Sequence, residues 1–240
     1  MLSTFCLVMI ASLLACATTT TGIFIISKYK KIGLKYVNYF MFFAAGVLIS
    51  VSFIHIVPKS FEMSKAAPIA LLAGFLLLYL IDELIRGHTG AASKRSLGII
   101  ATLGIGLHSF IDGIIYSVTF SVNILTGVVA AIGMVLHEFP EGIITFLLLI
   151  KGGFKKIKST WYAFLAAAIS TPLGALISYP FISTLKGPIL GFMLALSAGV
   201  LIYVGASRLL PEAEKEHKKY SLLALAAGIL IAILIILSKA

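Results

Sequence analysis

The chain of 240 residues has a mean hydropathy of +1.10, is 60% hydrophobic and contains only 12% charged residues. These values lie outside the range of soluble domains, so they exclude a soluble enzyme or binding module and indicate an integral membrane protein. The formal net charge of +10 would suit a nucleic-acid binder, but the basic residues are distributed by loop rather than clustered on one domain. We therefore predict no nucleic-acid partner.

Eight apolar runs follow one another along the chain, each close to the roughly 20 residues that a helix needs to cross about 30 Å of hydrocarbon. Charged or Gly/Pro-containing breaks separate them, and no connection is long enough to hold a soluble domain. We therefore predict an all-α integral membrane protein in the lipid bilayer, with residues 1–240 forming a single transmembrane domain. The eight spans are predicted at about residues 2–27, 36–57, 66–85, 97–121, 124–150, 160–185, 187–210 and 220–238.

Span 1 has no positive charge before it and four lysines after it, which predicts a transmembrane helix rather than a cleaved signal peptide. The connections after the odd-numbered spans hold most of the 19 lysines and arginines. By the positive-inside rule that side is cytoplasmic, and both termini are expected outside the cytoplasm. The short loops favour a prokaryotic inner (plasma) membrane. The basic residues on the opposite side are Lys59, Lys65, Lys186 and Lys239.

Two segments of the chain return later in inverted orientation. The segment AGVLISVSFIHIVP of span 2 (residues 45–58) is similar to AGVLIYVGASRLLP of span 7 (residues 198–211), and LHSFIDGII of span 4 (residues 107–115) is similar to LHEFPEGII of span 5 (residues 136–144). An odd number of crossings separates the two members of each pair, so their directions in the membrane are opposite. Inverted repeats are a transporter architecture, with the substrate site near the midplane where the repeats meet.

Ionisable side chains stand four residues apart in spans 4 and 5. Residues at this spacing lie on one helix face, so His108 projects with Asp112, and His137 projects with Glu141. An ionised side chain at the bilayer centre costs about 2.5–3.5 kcal/mol, and no lysine or arginine is predicted at the same depth. A divalent cation is therefore the expected partner, with a structural polar cluster or a proton relay as the alternative. The third carboxylate of these motifs is Glu138, and Ser109 stands at the matching place in span 4.

The types of these side chains favour a particular class of metal. Two imidazoles with carboxylates suit Zn²⁺ or another borderline first-row ion, whereas Mg²⁺ and Ca²⁺ prefer oxygen ligands alone. Pro140 lies inside the second motif and leaves the carbonyl of Leu136 without its usual helical donor. Unpaired backbone at membrane depth is tolerated where it lines a cavity, so we predict a hydrated path beside span 5.

With these motifs the chain resembles the ZIP (Zrt-, Irt-like protein) divalent metal transporter family. HSFIDG is similar to the family's span 4 signature and HEFPEG to its span 5 signature, and eight spans fit the family over the whole chain. The resemblance implies a 3+2+3 inverted-repeat arrangement and a metal site on spans 4 and 5. The main ligands that it implies are His108, Asp112, His137 and Glu141, and it places Ser109 and Glu138 at a neighbouring second metal position.

The chain also departs from the family's pattern. Family members often have Glu immediately before the PLGA of span 6, where this chain has Thr171, and the usual Asn and Glu of span 4 are Ser109 and Asp112. These departures reduce the ligand set at the second position. His55 matches a place where the family often has an acid or a histidine, so His55 and Thr171 are candidate residues of the ion pathway. Arg208 takes the place of His55 in the span 7 repeat and is expected to serve orientation and phospholipid contact.

We therefore expect transport of a divalent transition-metal ion toward the cytoplasm, with Zn²⁺ favoured over Fe²⁺, Mn²⁺ or Cd²⁺. The ion would be bound as substrate, with no cofactor and no covalent chemistry, and the chain could form a homodimer. The rival hypothesis is an intramembrane zinc hydrolase, because HEFPE is superficially similar to the HExxH helix of metalloproteases. It lacks the second histidine, having Glu141 there, and Pro140 disturbs the turn that this geometry requires.

Overall fold

The computed structural model describes residues 3–89, 94–215 and 218–237, and the side chains of these residues except 32–34, 85–89, 94–97 and 100–101. Seven helices in this part of the chain are long and apolar enough to cross a membrane, and Ser221–Leu237 is a shorter apolar helix of 17 residues. The prediction of an all-helical, multi-span membrane protein is thus confirmed. Leu2, Ser238 and Lys239, which the predicted spans and topology include, lie outside the described residues.

Five of the spans are single helices and three are interrupted. The single helices are span 1 (Thr4–Lys28), span 3 (Ala67–Thr89), span 4 (Lys94–Val122), span 5 (Ile124–Lys151) and span 8 (Ser221–Leu237). Span 2 comprises Lys30–Val51, Ser52–Ile56 and Val57–Met63; span 6 comprises Lys156–Ala163, Phe164–Ala168 and Ser170–Ile182; span 7 comprises Gly187–Ile202, Tyr203–Leu209 and Leu210–Glu214.

The predicted ends of the interrupted spans need correction. Span 2 was predicted at 36–57 but extends from residue 30 to 63, and span 7 continues to residue 214 rather than 210. Span 6 begins at residue 156 rather than 160 and ends at 182 rather than 185. Hydropathy marks only the part of a helix that hydrocarbon covers, whereas a helix can continue through the polar headgroup region as long as its backbone bonds continue.

Each of the three interruptions is a π-helical segment that ends a few residues before a proline. The prolines are Pro58, Pro172 and Pro211. A proline has no backbone N–H, so the carbonyl four residues earlier loses its α-helical donor. Within the π-helical segments the backbone bonds span five residues, as between Ile169 N–H and the Phe164 carbonyl at 3.0 Å. Pro140, by contrast, lies inside the continuous helix of span 5.

The distribution of polar and apolar side chains is the reverse of that in a soluble protein. Polar and ionisable groups, among them His108, Asp112, His137 and Glu138, are buried at the centre of the bundle. Large apolar side chains cover its outside, and an exposed apolar surface of this extent is expected of a protein that faces lipid. Examples on spans 3 and 8 are Ile69, Leu72, Leu80, Leu84, Leu222, Leu223, Leu230 and Leu234.

Spans 4 and 5 pack against each other, and each is backed mainly by one other span, although span 5 also packs on span 2. Span 1 packs on span 5 and span 6 packs on span 4, while spans 2 and 8 and spans 3 and 7 form two further close pairs. This packing holds spans 4 and 5 between their neighbours, which positions the facing side chains of the two repeated motifs.

Reciprocal glycines bring spans 1 and 5 into backbone contact. A Cβ built on Gly142 would lie very close to the Thr19 carbonyl oxygen, at 2.3 Å, and one built on Gly22 would lie at the same distance from the Phe139 carbonyl oxygen. Real side chains do not tolerate such distances, so only glycine permits this approach. Small residues at helix interfaces serve this purpose throughout membrane proteins.

The same contact recurs between spans 4 and 6. A Cβ on Gly113 would lie 2.1 Å from the Thr171 carbonyl oxygen, and one on Gly174 would lie 2.1 Å from the Phe110 carbonyl oxygen. Gly113 is the position in span 4 that corresponds to Gly142 in span 5. Span 6 therefore meets span 4 as span 1 meets span 5, through the segments TPLG (residues 171–174) and TTTG (residues 19–22).

We predict that Gly142→Ala lowers the thermal unfolding midpoint of the detergent-solubilised protein by several degrees, because the added Cβ forces spans 1 and 5 apart and overpacking costs about 1–3 kcal/mol. Gly106→Ala is the matched control, since its Cβ would come no closer than 3.0 Å to the Ala166 carbonyl oxygen. Equal midpoints for the two variants would contradict the role given to the glycine contact.

Candidate metal centre

Four ionisable side chains of spans 4 and 5 converge at the centre of the bundle. Because both spans are continuous α-helices here, the spacing of four residues places His108 above Asp112 and His137 above Glu141 on the facing surfaces. The exposed fractions of the side chains are 3% for His108, 0% for Asp112, 1% for His137 and 10% for Glu141. One candidate ligand atom from each residue lies within 4.8 Å of all the others.

The distances within this four-residue cluster suit a small metal ion. His108 Nε2 lies 3.4 Å from Asp112 Oδ2 and 3.5 Å from Glu141 Oε2, and His137 Nε2 lies 3.3 Å and 3.7 Å from the same two oxygens. Ligand atoms of a tetrahedral Zn²⁺ at about 2.0–2.2 Å are separated from one another by about 3.3–3.6 Å. Two neutral imidazoles with two carboxylates would also balance the charge of a divalent ion.

The candidate ligands of span 5 have hydrogen-bond partners outside the cluster, which those of span 4 lack among the described residues. The Nδ1 atom of His137 lies 3.4 Å from the Gly133 carbonyl oxygen, and the Ser109 hydroxyl donates to Glu141 Oε1 at 2.7 Å. His108 Nδ1 and Asp112 Oδ1 are buried and have no partner among the described residues. Such outer partners fix the orientation of metal ligands, so span 5 supplies the more rigid half of the cluster.

Glu138 lies beside the cluster and is bonded to the two backing spans. Its Oε2 accepts a hydrogen bond from the Thr19 hydroxyl of span 1, and its Oε1 accepts one from the Thr171 hydroxyl of span 6 at 3.0 Å. Thr19 and Thr171 begin the two equivalent TTTG and TPLG segments, so one wholly buried carboxylate joins both backing spans to span 5. The role of Glu138, Ser109 and Thr171 toward a metal stays a prediction.

The hydrolase hypothesis is not supported by this arrangement. In an HExxH site the glutamate after the first histidine must reach a metal-bound water, but both oxygens of Glu138 are bonded to threonine hydroxyls. Glu141 stands where the second histidine would be. His55 lies apart from the cluster, where its Nε2 is 3.0 Å from the Thr126 hydroxyl oxygen near the start of span 5. Its place on the ion pathway stays a prediction.

A cavity of about 690 Å³ extends from the cluster along span 5. It begins at His137 and Glu141 and continues past Ile144 and Leu148 to Lys151, at the lysine-rich end of the span. The opposite wall comes from spans 3 and 7. The cluster is thus accessible from the side that the charge distribution predicts to be cytoplasmic. The cavity follows span 5, as expected from the sequence, but its wall does not include Pro140 or Leu136 among the described residues.

The cavity wall contains an ion pair that the sequence did not predict. Arg208 Nε lies 3.5 Å from Asp82 Oδ2, and the Tyr203 hydroxyl donates to the same oxygen at 2.8 Å. Arg208, in the π-helical segment of span 7, thus lines the cavity, and its expected contact with phospholipid stays a prediction. Two signals mark the members of the pair, because Asp82 interrupts the apolar run of span 3 and Arg208 replaces His55 in the repeat, but neither signal shows that spans 3 and 7 adjoin.

The chain is similar to known proteins over most of its length. Residues 86–236 match the family described as ZIP zinc transporter. The zinc transporter ZupT of Nitratidesulfovibrio vulgaris is 36% identical over 214 residues, which cover 73% of this chain and 76% of that protein. The protein of the same name from Chlorobium phaeovibrioides is 31% identical over 239 residues, which cover 87% of this chain and 89% of that protein. The one from Chlorobium limicola is 30% identical over 257 residues, which cover 95% of this chain and 96% of that protein.

We predict that Asp112→Asn weakens Zn²⁺ binding to the purified protein by about 100-fold or more, because the loss of a charged ligand exceeds the 10–100-fold effect of losing an outer partner. Ser117→Ala is the control in the same span, since the Ser117 hydroxyl donates to the Ala175 carbonyl at 3.2 Å and lies outside the cluster. Titration calorimetry of both variants measures the difference. Wild-type affinity in Asp112→Asn would remove this residue from the ligand set.

Proposed function

The chain belongs to the ZIP zinc transporter family, and we propose that it moves divalent transition-metal ions, Zn²⁺ first among them, across a membrane through the cluster of His108, Asp112, His137 and Glu141. The observation that carries the proposal is the convergence of these four buried side chains, from two adjacent spans, at the mutual distances of a Zn²⁺ shell. The transported ion is the substrate, and the proposal involves no bond-breaking chemistry.

The charge of the cluster explains why an ion would enter a bilayer at this point. An isolated divalent cation or an isolated carboxylate is expensive to place in hydrocarbon, but the two cancel each other's charge when they meet. The imidazoles add ligands without adding negative charge. This mixed set also favours borderline first-row metals over Mg²⁺ and Ca²⁺, which prefer oxygen ligands only.

We infer that the ion moves toward the cytoplasm and leaves through the cavity beside span 5. The cavity connects His137 and Glu141 with Lys151, and the positive-inside rule assigns the lysine-rich end of span 5 to the cytoplasm. The same rule puts the outer ends of spans 1 and 8 outside the cytoplasm of a prokaryotic cell. We therefore interpret the conformation with this cavity as the one that is open on the side of release.

We also infer a 3+2+3 organisation, in which spans 1–3 and spans 6–8 are inverted repeats on either side of spans 4 and 5. The reciprocal glycine contacts support it, because Gly142 meets Thr19 as Gly113 meets Thr171. In transporters of this type, one helix group moves relative to the other and exposes the midplane site to each side in turn.

One principal metal position is the simplest arrangement that fits this chain. A second position would need Glu138 and Ser109, but the Glu138 carboxylate accepts bonds from two threonines and Ser109 donates to Glu141. Thr171 offers a neutral hydroxyl at the place where the family often supplies a third carboxylate. We therefore assign Glu138 to the attachment of span 5 to its neighbours.

We predict that the wild-type protein in proteoliposomes takes up Zn²⁺ down its gradient, and that His108→Ala reduces the initial rate at least about tenfold because an ion ligand is lost. Ser117→Ala should transport at the wild-type rate. A fluorescent Zn²⁺ indicator inside the vesicles measures uptake, and excess Mg²⁺ outside should not compete. If wild-type vesicles admit no more Zn²⁺ than protein-free vesicles, the proposed function is excluded.

We predict that Zn²⁺ affinity falls at least about tenfold between pH 7.5 and pH 5.5. Ligation requires neutral imidazole and ionised carboxylate, and free imidazole takes up a proton near pH 6.5, so protons compete with the ion as the pH falls. Competition with a calibrated chelator in detergent solution, with the pH dependence of the chelator subtracted, gives the affinity at each pH. A constant affinity over this range would contradict ligation by the two histidines.

A further inference from the structure

Tyr116 of span 4 is a wholly buried residue whose hydroxyl has no hydrogen-bond partner among the described residues. It follows Asp112 by four residues, so it lies one turn farther along the same helix face as the ligand pair. Its phenol is near enough to the carboxylates of Asp112 and Glu138 to be acted on by their charge. An unpaired polar group thus adjoins the ion site.

Tyr116 lies on the outer side of the cluster, opposite the cavity. Span 4 begins at Lys94, on the lysine-rich side, and ends at Val122, so Tyr116 is farther out than Asp112. The cavity touches span 4 at Ile105, on the inner side of the ligands. An ion that reaches the cluster from outside must therefore pass the level of Tyr116, where the side chain is 0% exposed.

The residue of span 5 that corresponds to Tyr116 has a hydroxyl with a hydrogen-bond partner. The repeat that relates His108 to His137 relates Tyr116 to Thr145, which lies on the inner side of the cluster. The Thr145 hydroxyl is satisfied by the Glu141 carbonyl at 2.7 Å, and its neighbour Ile144 lines the cavity. Thr145 is itself buried and is not among the described residues of the cavity wall, so the two equivalent positions differ in the size of the side chain and in the pairing of its hydroxyl.

The missing hydrogen bond makes Tyr116 unfavourable in this conformation. A buried donor without a partner loses its bonds to water and gains nothing in return, whereas phenylalanine would fill almost the same volume without that penalty. The hydroxyl therefore favours a different conformation, in which it is paired. Opening of the outer side would supply such a partner, because water and the hydrated ion would reach the phenol first.

We propose that Tyr116 is the outer gate residue of the transport path: its ring closes the path in the inward-open state, and its hydroxyl binds the water of the entering ion when the outer side opens. This proposal rests on the transport function proposed above. The unpaired hydroxyl raises the free energy of the inward-open state relative to the outward-open state, so it promotes the return of the carrier to the outside.

Tyr116→Phe is the test, and its expected effects differ from those of structural damage. The thermal midpoint of the ion-free protein should rise by about 2–4 °C, because the unpaired hydroxyl is removed. Zn²⁺ affinity should stay within about twofold of wild type, since no ligand changes. The uptake rate in proteoliposomes should fall about fivefold, the equilibrium shift that one lost hydrogen bond produces toward the inward-open state.

Thr102→Val is the matched control. The Thr102 hydroxyl is also buried without a partner among the described residues, but it lies in a lateral groove with Phe154, Tyr162 and Ala166, away from the cluster. Its replacement should raise the thermal midpoint and leave uptake unchanged. If Tyr116→Phe behaves as Thr102→Val does, the gate assignment is overturned.

A conformational readout separates the gate from the transport function. Ala130 is 1% exposed and lies two turns outward of His137 on span 5, so a cysteine there reports on the outer path. The background for this test is Cys6→Ser with Cys16→Ala, and the reporter is Ala130→Cys. Labelling of the reporter from outside by a membrane-impermeant thiol reagent should be about fivefold slower when Tyr116→Phe is added than without it. Equal labelling rates with and without Tyr116→Phe would overturn the gate proposal, whatever the uptake rates are. Absence of Zn²⁺ uptake by the wild-type protein would instead count against the transport function.

Discussion

The attraction between a divalent ion and two carboxylates that hydrocarbon surrounds is the interaction on which this molecule depends. Asp112 and Glu141 are almost fully buried and form no ion pair with a lysine or arginine in the part of the chain that the structure describes, so their charge is balanced mainly from within the cluster. The two histidines can supply that balance only partly, because each imidazole is either neutral or protonated. A passing metal ion balances both carboxylates at once and uses the imidazoles as further ligands.

The backbone contacts around spans 4 and 5 serve this interaction. Ligand atoms must approach to about 3.5 Å across two helices, which is possible only when the helices are held closely and at a fixed rotation. Gly142 and Gly113 allow spans 1 and 6 to touch them from behind, and Glu138 adds a hydrogen bond to each of these spans. In the proposed function the two glutamates of the second motif have different roles: Glu141 would bind the ion, whereas Glu138 is bonded to the neighbouring spans.

Sequence reasoning located the cluster because its spacing is local. The pairs His108 with Asp112 and His137 with Glu141 share a helix face by geometry alone, and the repeat predicts that the two faces meet. The sequence does not predict the bond between Glu138 and Thr19, which are 119 residues apart, or the pair of Asp82 and Arg208. Nothing local in the sequence indicates which spans adjoin. The π-helical segments were missed for a related reason: a proline predicts a lost bond, but only the surrounding packing decides whether the helix bends or widens.

The two halves of the repeat differ at the positions that an ion would meet, and these differences give a symmetric scaffold a direction. Tyr116 corresponds to Thr145, and His55 corresponds to Arg208. On the inner side Thr145 is buried with its hydroxyl paired, and Arg208 lines the cavity. A solitary Asp82 in this cavity would attract a departing cation and delay its release, but its pairing with Arg208 and Tyr203 neutralises the charge. In the proposed function the strongest attraction for the ion therefore remains at the cluster itself, because Asp82 in the cavity wall is already paired.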